Sequence, residues 1–393
     1  MTPLDRRGFG TLLFSATATV LAPGLARAVT DEPPIPLRTV PVHKPQHLAR
    51  ALDRARPGDH IVLADGTYPG SYALAQAGMA GAPILVRAAN RHQAVIAGTL
   101  TLAGAHTWAH ELAFVGDQVG VLPRDDDTTV TRCWFTGARG VKVTTQQRVR
   151  IGHNQFTGGP VAGLAEGHHI YFKIAVGNNV RRPEGCRVYR NHFLSPNGTG
   201  ADGEFHHIYV GDAGGLSNTP SLTDWICEYN LIQDSVRRRG IYTKRGGTVR
   251  FNHIIGKGRG TTGIRHGGRG ALWGNRFDGV NVCVVNGPDH DVRGNYVRGP
   301  FGLRLECEHL SQDGSRFNAA DRAFCVGNDG ELTVGYLQPG GTLIRAVDGV
   351  QIYDHVGDVR LKEQTNTLVA QAPALERPTP VILSPAEVGP DAP

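Results

Sequence analysis

The residues best suited to chemistry are cationic and lie close together in the chain. Between Asp234 and Gly270 the sequence contains one acid, Asp234, and ten basic residues, which together give a net charge of +9. The whole chain carries only +6, so the remainder sums to −3. A solvated basic face is usually interleaved with Glu and Asp. This concentration of charge therefore indicates a site for a polyanion. The ten are Arg237, Arg238, Arg239, Lys244, Arg245, Arg250, Lys257, Arg259, Arg265 and Arg269.

Lys244 and Arg265, 21 residues apart, are suited to β-elimination on a uronic-acid polymer. That reaction removes the weakly acidic C5 proton and expels the oxygen at C4. A lysine can be the base when neighbouring cations depress its pKa. An arginine stays charged, grips a carboxylate through two hydrogen bonds and stabilises the enolate-like intermediate. Lys244 is therefore a candidate base, and Arg265 is a candidate for binding the carboxylate and stabilising the intermediate.

Other functions fit this segment less well. A glycoside hydrolase needs two carboxylates flanking the bond, and the segment offers only Asp234. A C5-epimerase shares the proton abstraction, and a non-catalytic polysaccharide-binding solenoid shares the basic strip, so both stay as alternatives. A nucleic-acid partner is disfavoured because the chain lacks an aromatic stacking platform.

A recurring asparagine indicates the elements that must position these residues. Asn lies next to strand-like residues in HNQF (153–156), RNHF (190–193), EYNLI (228–232), RFNHII (250–255), GNRF (274–277) and GNYV (294–297). Asn252, Asn275 and Asn295 are spaced by 23 and 20 residues, and the earlier gaps of 37 and 39 fit coils with insertions. Such a period without intervening helices predicts an all-β solenoid of stacked coils. An irregular β-sandwich would need more NG or DG hairpin turns.

The coil arrangement predicts where the cations meet. Residues one coil apart lie about 4.8 Å from each other, so Lys244 and Arg265 should stand on neighbouring coils on the same side. Residues 45–56 have helical periodicity in Leu48, Ala51, Leu52 and Ala55. We expect this short helix to cap the open end of the solenoid, which would otherwise invite pairing with another strand.

The chain resembles polysaccharide lyase family 6, the chondroitinase B and alginate lyase family of parallel β-helices. The resemblance covers residues 40–310. It is carried by ALDRARPGDHIVLADGTY, the Asn-Phe coils, Lys244 in IYTKRGG, Arg265-His266-Gly267 on the next coil, and GPDHDVRGNY (287–296). It implies an all-β, single-stranded right-handed parallel β-helix. It also implies a polysaccharide lyase in which Lys244 is the base and Arg265 assists leaving-group protonation or charge stabilisation. His266 would then bind substrate, with alginate the first substrate and a dermatan or chondroitin type glycan the second.

One departure from the family concerns Ca²⁺. Many members neutralise the uronate carboxylate with Ca²⁺ held by an acidic E-x-E pattern shortly before the lysine, where this chain reads VRRRGIY. Arginines cannot ligate Ca²⁺, which takes six to eight oxygens. We predict no metal or other cofactor, with Arg237 or Arg239 neutralising the carboxylate. Asp202, Glu204 and Asp212 on a preceding insertion are the alternative metal ligands.

Further residues are predicted to contact substrate. Tyr242, Arg245 and Arg269 flank the two catalytic cations in sequence, and His290 lies one coil beyond Arg265. In the pair His206-His207, one side chain should line the cleft and the other should be structural, because neighbours on a strand face opposite sides. We take His207 as the one in the cleft.

The ends of the chain are predicted to lie outside the catalytic domain. Residues 1–28 carry Arg6-Arg7, an apolar stretch and a small-residue end at Ala28, which is typical of a twin-arginine signal peptide. The β-helix domain is assigned to 29–365, and a loosely packed Pro- and Ala-rich tail to 366–393. The protein should be periplasmic or secreted, without membrane insertion, and monomeric.

The six cysteines have two predicted roles. Cys133, Cys186, Cys227 and Cys283 lie in or beside apolar runs, so we expect them to be small buried hydrophobes. Cys307 and Cys325 flank a polar loop. In an oxidising compartment these two could form a disulfide.

Overall fold

The computed structural model describes residues 32–116, 118–137, 139–158, 166–174, 181–194, 204–211, 222–235, 239–244, 246–256, 262–280, 282–299, 301–310, 316–337, 340–371 and 378–390. The predicted signal peptide, residues 1–28, lies outside them. Residues 34–393 belong to one compact unit.

Three long sheets make up most of this unit. Sheet I has fourteen described strands: Arg38–Val42, Asp59–Leu63, Ile84–Ala88, Thr107–His110, Thr129–Thr131, Arg150–Gly152, Arg187–Tyr189, Leu222–Glu228, Gly246–Arg250, Gly270–Trp273, Asp291–Arg293, Phe324–Val326, Gln351–Tyr353 and Leu368–Ala370. Sheet II has twelve: Tyr72–Leu74, Leu100–Leu102, Val121–Pro123, Val141–Val143, Glu166–Lys173, Glu204–Gly211, Arg239–Thr243, Thr262–His266, Val282–Val285, Leu303–Glu306, Leu332–Tyr336 and Val359–Leu361.

Sheet III is shorter. Its ten described strands are Gly66–Pro69, Ala94–Ala97, Ala113–Phe114, Trp134–Phe135, Gln155–Phe156, His192–Leu194, Leu231–Ser235, His253–Gly256, Arg276–Asp278 and Tyr296–Arg298. Two small sheets add an antiparallel set, Glu308–Leu310, Arg316–Phe317 and Thr342–Arg345, and a parallel pair, Val347–Asp348 and Gln364–Thr365.

The chain visits the three long sheets in a fixed order. From Ile84–Ala88 in sheet I it passes to Ala94–Ala97 in sheet III, then to Leu100–Leu102 in sheet II, and returns to sheet I at Thr107–His110. Each strand pairs in parallel with the corresponding strand of the next coil, as in Ile61 opposite Val86. This is the predicted parallel β-helix, in which stacked coils share one core because no single coil can bury its own face.

The predicted capping helix is confirmed. Helix α1 spans Pro45–Asp53, slightly shorter than expected, and starts with Pro, whose missing N–H costs nothing at that position. Leu48 and Leu52 are fully buried, and α1 packs on the first strands of the three long sheets. No helix in the described ranges combines the length and the apolar character that a membrane crossing requires.

The recurring asparagines form a buried ladder at one corner of the coils. Asn154, Asn191, Asn230, Asn252, Asn275, Asn295 and Asn328 are each at most 2% exposed. Each side-chain amide donates to the Oδ1 of the next Asn at 2.9–3.0 Å. The residue before each of them has positive φ, which turns the chain from sheet I to sheet III. The 37- and 39-residue gaps therefore are single coils with insertions, as predicted.

The cysteine predictions had mixed outcomes. Cys133, Cys186, Cys227 and Cys283 are buried and free, as expected, and burial raises the pKa of the Cys133 thiol to about 12. The disulfide that Cys307 and Cys325 could have formed is not present, because both thiols are free. Cys325 belongs to sheet I and points into the core. The Cys307 thiol instead donates to the Tyr336 carbonyl at 3.2 Å.

The C-terminal prediction needs correction at two points. The last coil extends beyond residue 365, because Leu368–Ala370 pairs with Gln351–Tyr353 in sheet I. Residues 378–390, which we call the C-terminal strap, are packed rather than loose. Leu383 and Val388 are buried against Leu231.

Hydrogen bonds also tie the C-terminal strap to coils far away in sequence. The Leu383 N–H donates to His253 Nδ1 at 3.2 Å, and the Gly389 N–H donates to the Arg190 carbonyl at 2.7 Å. Arg132 donates to the Pro390 carbonyl at 2.9 Å. The strap therefore runs along the outside of the stack, from later coils towards earlier ones.

Candidate active site

The two predicted catalytic cations share the outer face of sheet II. Ile241 and Ile264 point into the common core, whereas their neighbours Tyr242 and Arg265 point outwards. The register places Arg265 opposite Tyr242, 23 residues earlier, rather than opposite Lys244. The predicted direct stacking of Lys244 and Arg265 is therefore displaced by two residues. Because side chains alternate along a strand, Lys244 still projects on the same side as Tyr242.

Tyr242 lies between the two cations. The Lys244 Nζ is 5.8 Å from the centre of the Tyr242 ring and 5.6 Å from that of Tyr209. The guanidinium carbon of Arg265 is 5.9 Å from the Tyr242 ring centre. Aromatic faces attract cations at such distances. Both charges therefore lie within cation–π distance of the same ring.

A glycine makes room for the lysine side chain. A Cβ on Gly211 would lie 3.0 Å from Lys244 Cδ and 3.0 Å from the Tyr209 hydroxyl. Gly211 belongs to the preceding coil, on the strand Glu204–Gly211. The absence of a side chain there lets the half-buried Lys244 lie back over Tyr209.

Arg265 is held by a carboxylate two coils away. Its Nη2 donates to both oxygens of Glu306, at 3.2 and 2.9 Å. Arg265 is 4% exposed and Glu306 is 1% exposed. Burial alone would lower the pKa of Arg265, but the Glu306 carboxylate raises it above its ordinary value. The pairing of Glu306 with Arg265 is visible only in the three-dimensional register, because the two residues are 41 positions apart in the chain.

The outer face also carries an aromatic ladder. Lys142, Tyr171, Tyr209, Tyr242 and Arg265 follow one another in register on successive coils, and we call this set the outer column. Neighbouring tyrosine rings are 5.2 and 5.4 Å apart. Tyr171 and Tyr209 are site residues that were not predicted from the sequence. The signal was present in the repeated HHIY at 168–171 and 206–209.

Two histidines pack against the outer column. The rings of His168 and His206 stack at 5.2 Å with a 4° interplanar angle, and His206 also contacts Tyr209 and Tyr242. Burial, together with the charges of His169, Arg139 and Lys142, lowers the pKa of His168 to about 3. His168 is therefore neutral at physiological pH.

As predicted, one of the adjacent histidines packs inside the coil and the other packs on the outer face. The assignment was wrong, because His207 is the inner one. His207, the one we placed in the cleft, is 1% exposed and packs inside the coil near Phe193. Its Nδ1–H donates to His169 Nδ1 at 3.1 Å, and His169 Nε2–H donates to the Gly158 carbonyl at 2.7 Å. Burial keeps the pKa of His207 well below its usual value. His206, not His207, is the outward member of the pair.

His266 and His290 are likewise interior, which corrects their predicted contact with substrate. His266 lies in register with Thr243 and Val285, both of which are buried core positions. It accepts from the Thr243 hydroxyl at 2.6 Å and donates to the Ala271 carbonyl at 3.1 Å. The His290 ring lies 5.0 Å from that of His266, and its Nε2–H donates to the Asn286 carbonyl.

The remaining predicted contacts divide into three cases. Arg237 and Arg245 lie outside the described residues, and for Arg239 only the backbone, opposite His206, is described. Arg269 is exposed in the turn after Thr262–His266. There it acts, after Arg322, to lower the pKa of Asp289. Tyr242 is the predicted contact that the structure places beside both Lys244 and Arg265.

The described residues offer no fit for Ca²⁺ at this site. No group of three or more His, Cys, Asp or Glu in the described ranges could hold a metal ion. Among the described residues, the acid that contacts Arg265 is Glu306, and both of its oxygens accept from that arginine. Asp202 and Asp212 lie outside the described residues, as does the side chain of Glu204. No step of the proposed chemistry is therefore routed through a metal.

The sequence matches no protein-family model and no curated protein. Solved structures are similar in fold. A mannuronic acid specific family 6 polysaccharide lyase from human gut microbiota gives a TM-score of 0.64 at 18% identity, over 85% of this chain and 87% of that one. A family 6 lyase from Pseudopedobacter saltans gives 0.60 at 15% identity, over 90% and 99%. An alginate lyase in complex with G6 gives 0.64 at 14% identity, over 88% and 86%. At these identities the likeness establishes the shared fold.

Proposed function

We propose that this protein is a polysaccharide lyase that cleaves a uronic-acid polymer by β-elimination. The observation that carries the proposal is the meeting of Lys244 and Arg265 at the Tyr242 ring on the outer face of sheet II. Lysine and arginine at one spot suit a substrate that is anionic and must lose a proton. The solved structures of similar fold include alginate lyases and a mannuronic acid specific lyase. Alginate is therefore the first substrate we propose, and a dermatan or chondroitin type glycan is the second.

The reaction assigns one role to each cation. The neutral amine of Lys244 takes the C5 proton, and the C5–H electron pair forms a C4–C5 double bond as the C4–O bond breaks. Arg265 stabilises the negative charge that develops on the substrate, and the leaving oxygen takes up a proton from water with the assistance of the Arg265 charge. Glu306 holds the guanidinium in place through its two hydrogen bonds. An arginine fixed before the reaction stabilises charge without reorganising.

We propose further that the reaction does not require Ca²⁺. Arg237 and Arg239 occupy the positions where the resembled family carries acidic ligands, so an arginine would neutralise the uronate carboxylate directly. Exhaustive chelation should leave the rate unchanged, and Arg239→Ala should abolish most of it. Activity lost on chelation and restored by Ca²⁺ would overturn this part.

The direct test of the proposed function is spectroscopic. The purified protein is incubated with alginate and with dermatan sulfate, and the ultraviolet absorbance of the new C4–C5 double bond is followed. A rise with either polymer supports a lyase. Altered uronate composition without a rise indicates an epimerase, and binding without either change indicates a non-catalytic solenoid.

We also propose that residues 1–28 direct export, which places the enzyme where an extracellular polysaccharide is found. The test is expression with the native leader and with Arg6→Lys/Arg7→Lys. The change should retain the protein inside the cell if the twin-arginine pathway carries it.

A further inference from the structure

A small cavity opens on the outer face of sheet II, away from the catalytic pair. It has a volume of about 100 Å³. A single water needs about 10–15 Å³ of such space, so this cavity is large enough to hold a small group such as a carboxylate. Its described lining is Val119, Arg139, Gly140, Val141, Lys142, His168 and Tyr171.

The charge of this lining is one-sided. Arg139 and Lys142 are cations, and none of the described lining residues is acidic. Lys142 also lies 5.5 Å from the centre of the Tyr171 ring, which supports its ammonium group from one side. Arginine can bind a carboxylate through two hydrogen bonds, and lysine adds a point charge. The lining is therefore complementary to a small anion.

His168 adds a hydrogen-bond donor to the same wall. The backbone N–H of His206 donates to His168 Nδ1 at 3.2 Å. A neutral imidazole that accepts at Nδ1 carries its proton on Nε2. The low pKa of this ring keeps it in the neutral form. His168 therefore presents an N–H without adding a third full charge.

The outer column fixes how far this cavity lies from the catalytic pair. Lys142 is three coils before Tyr242, the ring shared by Lys244 and Arg265. At about 4.8 Å per coil the separation is roughly 14 Å. The stacked rings of Tyr171 and Tyr209 occupy the interval. This is a span that several linked sugar rings would fill.

We propose that this cavity is a distal subsite that binds the carboxylate of a uronate residue several sugars away from the bond that is cleaved. The inference rests on the proposed function and deepens it, because it assigns the enzyme a preference for polymers and long oligomers. A short oligomer reaches Lys244 without filling the cavity. A longer one gains the contacts to Arg139, Lys142 and His168.

The test compares substrate lengths. The double variant Arg139→Gln/Lys142→Met is assayed with a size-graded series of oligouronates and compared with the unaltered protein. We expect KM for the long oligomers to rise by about tenfold for each charge-assisted hydrogen bond that the variant removes. KM for the shortest cleaved oligomer and kcat throughout should change little. Lys142→Arg, which keeps the charge, should retain most of the length preference.

Two controls keep the result interpretable. Arg124→Gln removes an exposed charge beyond the other end of the neighbouring strand Val121–Pro123 and should leave the length dependence intact. Thermal unfolding shows whether each variant is folded. Equal losses at every length, or an unchanged KM for long oligomers, would overturn the subsite. If the unaltered protein acts on no uronate polymer, the proposed function itself is wrong. The two failures are distinguishable because this one is measured on the unaltered protein and the other on the variant.

Discussion

The Asn ladder and the outer column are both built by stacking side chains on successive coils, yet they differ in kind. In the ladder, seven consecutive coils present the same residue with the same partners. In the outer column each type of contact lasts only a few coils: one lysine, three tyrosines and then an arginine. The ladder satisfies buried backbone groups in the same way on successive coils. The column departs from repetition where Lys244 and Arg265 meet.

This difference indicates how the coils divide their tasks. An amide ladder satisfies buried polar groups at every turn, and networks of this kind rigidify a fold when every member has a partner. Residues that change from coil to coil are not part of such a repeated hydrogen-bond network. Each of them can therefore be suited to the reaction at its own position. Changes in the ladder should therefore affect stability alone, whereas changes in the column should affect activity.

The largest effect should come from the base. Lys244→Met should lower kcat by about 10²- to 10⁴-fold, the usual contribution of general acid–base catalysis. The melting temperature should stay close to that of the parent protein, because Lys244 is only half-buried. The ultraviolet elimination assay and thermal unfolding measure the two quantities. A variant that keeps more than a tenth of the rate would exclude Lys244 as the base.

Arg265 of the outer column and its buried partner Glu306 should affect both stability and activity. Arg265→Met alone or Glu306→Met alone should lower the free energy of unfolding by about 3–5 kcal/mol, since each leaves a buried charge without its partner. The double variant should regain most of that stability while staying inactive. Urea denaturation with activity assays gives both numbers. An active double variant would remove Arg265 from the reaction.

A break in the ladder should affect stability alone. Asn252→Leu removes the acceptor of the Asn230 N–H and of its side-chain amide. Each orphaned buried group costs about 1–3 kcal/mol. Asn90→Leu, at an exposed asparagine on the surface, should cost about 0.5 kcal/mol or less. A specific loss of activity in folded Asn252→Leu, at unchanged KM, would contradict the division between ladder and column.

The interior histidines should make the stability of the fold depend on pH. Burial lowers the pKa of His290 to about 4 and that of His266 to about 3. Both are neutral in the folded protein, whereas the unfolded chain binds protons below about pH 6.5. Their contribution to stability is therefore full above pH 6.5 and is lost as the pH falls towards 4.

His290→Gln measures this contribution. It should flatten the decline in the free energy of unfolding by about 1.4 kcal/mol per pH unit between pH 6.5 and 4. His47→Gln, at an exposed position on α1, is the matched control and should keep the parent slope. If the free energy of unfolding had the same pH dependence in the parent and in His290→Gln, the ring would have the same pKa in the folded and unfolded states. That result would contradict the prediction.

The fold followed from the sequence because it depends on a repeated residue. Asn252 and Asn275 mark a coil of 23 residues, and the register of Tyr242 and Arg265 has the same length. The candidate site was predicted less completely. A spacing of 21 identified Lys244 and Arg265 as neighbours, but a shift of two residues decides whether they touch or share an aromatic ring.

Side-chain direction was the harder problem for the same reason. Strict alternation says that His206 and His207 face opposite sides but not which side is the interior. That choice depends on the neighbouring coils, where Phe193 and His169 surround His207. The pairing of Glu306 with Arg265 joins residues 41 positions apart across two coils. No local sequence pattern encodes such a pairing.

The C-terminal strap gives the molecule a property that a simple stack lacks. Coils that touch only their neighbours can fold and open one at a time. The strap adds contacts between residues 130 and 258 positions apart, which close only after every intervening coil has been synthesised and has folded. Early coils are therefore completed by the latest part of the chain. Opening of those coils is in this way coupled to release of the strap, which makes unfolding more nearly all-or-none.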